Sequence, residues 1–91
     1  MVAARMTRAD RIKALLIREL QPSRLELLDE SGRHIGHAGA RPEGETHFAL
    51  IIASHKLSGL SRVEQHRMIY DLLASELKSG LHAITIKTEI T

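Results

Sequence analysis

Cysteine is missing from this 91-residue chain. No disulfide can close its fold, and no thiolate of its own can bind a metal or serve as a nucleophile. That absence fits a reducing compartment. Aromatic residues are nearly missing too: Phe48 and Tyr70 are the only two, which argues against a stacking platform for single-stranded bases. Long apolar runs are also lacking. The longest, Phe48 to Ala53, falls far short of the roughly 18 residues that span a bilayer, and the N-terminus has no signal-peptide core. The expectation is a cytoplasmic protein with no membrane partner.

Charge of one sign does not dominate. Thirteen basic and eleven acidic residues leave a formal +2, spread along the chain rather than gathered in a tail, so nucleic-acid binding is permitted but not demanded. There is no internal repeat, low-complexity tract or linker. A chain of this length supports one core, and we read residues 1–91 as a single domain with its ordered core between Thr7 and Thr88. What the sequence does have in excess is histidine, six in all.

The pattern of elements is clear for most of the chain. Thr7 is a plausible N-cap with Asp10 three residues on, and Ile12, Leu15, Leu16, Glu19 and Leu20 follow a helical spacing that Pro22 ends. Arg24 to Asp29 alternates, with Leu25 and Leu27 on one side, as a half-buried strand does. Residues 30–45 hold four glycines and a proline without apolar period, the composition of a long loop. His47 to Ala53 is nearly continuous in apolar character, the mark of a central strand or one covered on both faces. A turn around Gly59 follows. Ser61, with Glu64 three residues on, opens a second helix expected to reach Lys78, with Gly80 as its C-terminal cap. Its expected buried stripe is Val63, His66, Ile69, Tyr70, Leu73 and Leu77, leaving Arg62, Asp71, Ser75 and Lys78 wet. Ala83 to Ile90 alternates again, with Ile84, Ile86 and Ile90 on one face.

Helix, strand, strand, helix, strand predicts a two-layer α+β domain, with helices packed on one face of a three-stranded mixed sheet. The strand–helix–strand link should run the third strand parallel to the second. This is the type II KH-like topology, which by itself decides no function.

Four segments then carry a resemblance. "DESGRH" (Asp29 to His34), "GETHFALII" (Gly44 to Ile52), "LSGLSRVEQHRMIYDLLASEL" (Leu57 to Leu77) and "LHAITI" (Leu81 to Ile86) together resemble the BolA family in order and spacing. The resemblance implies a KH-like BolA fold and two kinds of activity. One is transcriptional regulation through DNA binding, in stress response and cell morphology. The other is partnership with a monothiol glutaredoxin, sharing a [2Fe–2S] cluster in iron–sulfur and iron homeostasis.

Two imidazoles can replace two thiolates on one iron of such a cluster. By resemblance, His82 at the helix-to-strand joint is one ligand and His34 in the first interstrand loop the other. His37 competes with His34 and is not separable from it by sequence; glutaredoxin and glutathione would supply the thiolates. Taken alone, a histidine near a helix C-terminus is more often a hydrogen-bonded or capping ring favoured by the dipole, and the family likeness outweighs that reading. His34 and His37 as His-x-x-His make an incomplete zinc signal, since a structural site needs four ligands. His66 and His47 read as structural, and His55 is assigned nothing.

For DNA, Lys56, Arg62, Arg67 and Lys87 form the candidate cationic surface, which the glutaredoxin partner could share. Solvated charges at a helix start are the plainer reading. Gln65 stands where many BolA proteins have arginine, and a Gly-x-x-Gly loop is missing between Lys56 and the second helix. "GHAG" (Gly36 to Gly39) lies in the wrong loop. No nucleophile–base arrangement is evident, so no enzyme is expected. Whether the chain forms a homodimer is left open by its sequence.

Overall fold

In the computed structural model, residues 6–30 and 46–90 are described; the loop expected over 30–45 lies, beyond Glu30, outside them. The first helix, α1 (Arg8–Leu20), starts where its cap demands. The Thr7 hydroxyl accepts from the Asp10 amide and the Asp10 carboxylate accepts from the Thr7 amide, each at 3.1 Å, so two of the helix's orphan donors are satisfied reciprocally. At the other end Gln21 adopts a left-handed conformation (φ 45°) and its N–H closes on the Ile17 carbonyl at 3.0 Å. Pro22 then prevents continuation.

Three strands follow: β1 (Arg24–Asp29), β2 (His47–Ala53) and β3 (Ala83–Glu89). Their order in the sheet is β1-β2-β3, so the most apolar strand is the central one. β1 runs antiparallel to β2, pairing Leu25 with Ile52 and Leu27 with Leu50. β3 runs parallel to β2, pairing Phe48 with Ile84 and Leu50 with Ile86. Because side chains alternate across a sheet, these registers put Leu25, Leu27, Phe48, Leu50, Ile52, Ile84 and Ile86 on one face. That face packs against Ile12, Leu16 and Leu20 of α1 and Ile69 and Leu73 of the second helical segment. The helices therefore cover one side of a mixed sheet, as the pattern predicts.

Between β2 and β3 the chain makes a short 3-10 turn at His55–Leu57 and then the expected helix, but in two pieces. α2 (Arg62–Leu72) opens on a capping box of Ser61 with Glu64. At Leu73 (φ −94°, ψ 9°) the helix breaks, and α3 (Ala74–Ser79) completes it. Leu73 is fully buried, so the break occurs where a side chain is drawn into the core.

Three expectations need correction. Val63 is 61% exposed and Tyr70 is 38% exposed, whereas Leu60, Met68 and Leu72 pack against the core. The buried stripe of α2 is thus rotated from the one expected. Tyr70 still has a structural task, since its hydroxyl donates to the Ile84 carbonyl on β3 at 2.7 Å. Ile90 lies past the end of β3 and is almost fully exposed.

Candidate functional site

The joint between α3 and β3 carries His82. Gly80 ends the helix with φ 132°, a backbone conformation that favours glycine. A Cβ there would also stand 2.9 Å from the Arg8 guanidinium. That guanidinium comes from the start of α1: Arg8 donates to the Ser79 carbonyl at 2.9 Å and to Glu76 at 3.1 Å. Arg11, one turn along, grips the same carboxylate through two nitrogens, at 2.8 and 2.9 Å. The Glu76 side chain is only 12% exposed. The Arg11 hydrogen bond, reinforced by Arg8, holds its carboxyl below its ordinary value of 4.5 against the opposing effect of burial. The last turn before His82 is therefore clamped by ion pairs to an element almost seventy positions earlier.

The other side of the joint is held by the start of β2. The Thr46 carbonyl accepts from both the His82 and Ala83 amides, at 2.8 and 3.0 Å. The hydroxyl of Thr46 is 2.9 Å from Nδ1 of His47. The His47 ring is buried, and its centroid lies 5.0 Å from that of His82 with the planes inclined by 50°. His82 itself is exposed. An imidazole that solvent reaches, on a backbone pinned from two directions, is available to a metal presented by another molecule.

His34 and His37, the expected second ligand, lie outside the described residues. Among the described residues no three histidine, aspartate or glutamate side chains gather as a metal would require. The donor set available here is one exposed nitrogen with a second, buried ring behind it. One exposed imidazole leaves most of a metal's coordination shell to other groups.

A protein-family model for BolA-like protein matches residues 16–91. The chain belongs to the BolA family. It is 51% identical over 93% of its length to SufE-like protein 1, chloroplastic/mitochondrial, of Arabidopsis thaliana, of which it spans 24%. It is 39% identical over 87% of its length to the DNA-binding transcriptional regulator BolA of Escherichia coli, of which it spans 71%. Among solved structures, the BolA domain of SufE1 from Arabidopsis thaliana superposes with a TM-score of 0.82 at 47% identity, covering 96% of this chain and 95% of that one. Against some curated relatives the chain thus spans only about a quarter to a half of their length.

The cationic residues expected at a BolA partner surface are all exposed but do not share one face. Lys56 sits in the 3-10 turn, and Arg62 and Arg67 lie on α2. Lys87 pairs in register with Ile51, which places it on the sheet face turned away from the helices. Gln65 works as a latch. Its amide donates to the Leu57 carbonyl at 2.9 Å and its oxygen accepts from the Thr88 hydroxyl at 2.7 Å, tying the turn to the end of β3. Neither this latch nor the Arg8–Glu76–Arg11 clamp is signalled by local pattern, because each joins residues far apart in sequence. The His47–His82 contact had no local signal either, since the parallel register sets His47 opposite Ala83 and His82 lies just before the strand.

Among the described residues no helix is long and apolar enough to cross a membrane.

Proposed function

We propose that this BolA-family chain is a non-enzymatic cytoplasmic adaptor that binds a monothiol glutaredoxin and contributes His82 to a bridging [2Fe–2S] cluster. His34 or His37 is the second nitrogen ligand in this reading, and the glutaredoxin with its glutathione supplies the thiolates. The observation that carries it is the exposed His82 ring on a joint fixed by Thr46, Gly80 and the Arg8–Glu76 clamp. A ligand on a rigid element is held at a defined angle. Cluster trafficking and iron homeostasis are the processes such an adaptor would serve.

The test is visible absorption and circular dichroism of the chain mixed with a monothiol glutaredoxin, glutathione, iron and sulfide. A cluster spectrum that differs from that of glutaredoxin alone is expected. It should disappear in His82→Ala and survive in His55→Ala. A mixture whose spectrum is identical with and without this chain would rule the reading out.

Transcriptional regulation by DNA binding is the second reading, favoured by the name of the Escherichia coli relative and by the exposed Arg62 and Arg67 on α2. Phosphate neutralisation would make such binding weaken steeply with salt. Adding duplex DNA to the cluster-bearing complex separates the possibilities: release of glutaredoxin means one shared surface, and retention means the surface is not shared.

A further inference from the structure

The sequence reads His47 as structural, and its burial and its hydrogen bond to Thr46 agree with that; its place beside His82 adds to it. It opens β2 and pairs in register with Ala83, the residue after His82. Thr46 and His47 therefore hold the joint twice. The Thr46 carbonyl takes both amides of the joint, fixing the backbone of His82. The buried His47 ring then faces the His82 ring at a centroid distance of 5.0 Å and a tilt of 50°, within the range where flat rings pack favourably. His47 cannot swing away freely, because it is only 8% exposed and its Nδ1 is anchored by the Thr46 hydroxyl.

We infer that His47 is a positioning residue: its anchored ring is a wall that selects one rotamer of the exposed His82 ring and so fixes the direction in which His82 offers nitrogen to a partner's metal. An exposed histidine left to itself samples several staggered χ1 wells, and each sends the ring a different way. Ligating histidines are commonly aimed by a hydrogen bond to the second ring nitrogen; here the neighbour is a packed ring. The use of that orientation rests on the glutaredoxin reading above; the orientation itself does not.

Nuclear magnetic resonance of the metal-free chain tests it. In the unaltered protein the two Hα–Hβ couplings of His82 should be unequal, as for a single rotamer, with ring-to-ring NOEs to His47. In His47→Ala the couplings should converge to averaged values. In His47→Phe, which restores a flat ring without nitrogen, they should separate again. Should His47→Ala fail to fold, His47→Leu takes its place, with similar bulk but no flat face, and the same convergence is expected.

Thermal unfolding of each variant supplies the comparison that a merely structural role would move by itself. A lower Tm with His82 still in one rotamer would overturn the inference, as would averaged couplings in the unaltered chain. With glutaredoxin, glutathione, iron and sulfide present, His47→Ala should shorten the lifetime of the bridging cluster several-fold and alter its circular dichroism, and His47→Phe should restore both. If the unaltered chain forms no cluster at all, the adaptor reading fails while the rotamer result stands.

Discussion

Gly80 shows how much a single residue can be asked to satisfy. Its φ of 132° is strained for any residue with a Cβ, and the space a methyl would need is occupied by Arg8 at 2.9 Å. The far end of an arginine can usually step aside. Here it is held by the Ser79 carbonyl and by Glu76, so moving it breaks hydrogen bonds. Gly80→Ala should therefore cost more than about 1 kcal/mol, read by urea unfolding. The cost should be smaller when Gly80→Ala is measured against an Arg8→Ala background, because only the backbone strain is left there. Equal costs in the two backgrounds would mean that the crowding contributes nothing.

At the scale of elements, each long helix depends on its first turn. The Ser61 hydroxyl accepts from the Glu64 amide at 3.1 Å and the Glu64 carboxylate accepts from the Ser61 amide at 3.0 Å. Ser61→Ala removes one half of that exchange and should destabilise by about 1 kcal/mol, seen as a lower urea midpoint with unchanged m-value. Both capping boxes were legible in the sequence because their partners are three residues apart, and the strands because alternation in β1 and β3 and a continuous apolar run in β2 are local signals. The stripe of α2 was not. Placing Val63 inside assumed one uninterrupted helix reaching Lys78. The burial of Leu73 splits that run and sets which side of each piece meets the sheet, and this depends on how α2 sits over β3, a tertiary fact. For the same reason His82 could be placed at its joint by pattern and resemblance, while the clamp and the His47 ring that support it could not be. They come from α1 and β2, and only the folded topology brings those elements to the end of α3.

Across the whole molecule, the acidic groups set how stability responds to pH. Hydrogen bonds from the Thr7 backbone and hydroxyl hold Asp10 below its ordinary 3.8, and those from Ser61 hold Glu64 below 4.5. Glu76 is depressed chiefly by Arg11. In each case the folded value lies beneath the unfolded one, so the unfolded chain takes up protons first as the solution is acidified. The stabilisation is complete above the unfolded values and is lost as pH falls through the depressed folded ones. The three should respond differently to salt. Asp10 and Glu64 are held chiefly by hydrogen bonds from neutral groups, which salt screens little, whereas Glu76 is held by two guanidinium charges, Arg11 being 44% exposed, so its share is the more salt-sensitive. Glu76→Gln also leaves Arg8 and Arg11 without their common anion, at a cost of about 1–3 kcal/mol near neutrality for hydrogen bonds to a charged group. Urea unfolding from pH 7 down to pH 3, at low and at high salt, checks this. Glu76→Gln should remove most of the salt-sensitive part of the acid response and leave the part set by the two capping boxes. An unchanged acid profile in that variant would mean that the clamp between α1 and α3 does not govern how the fold fails in acid.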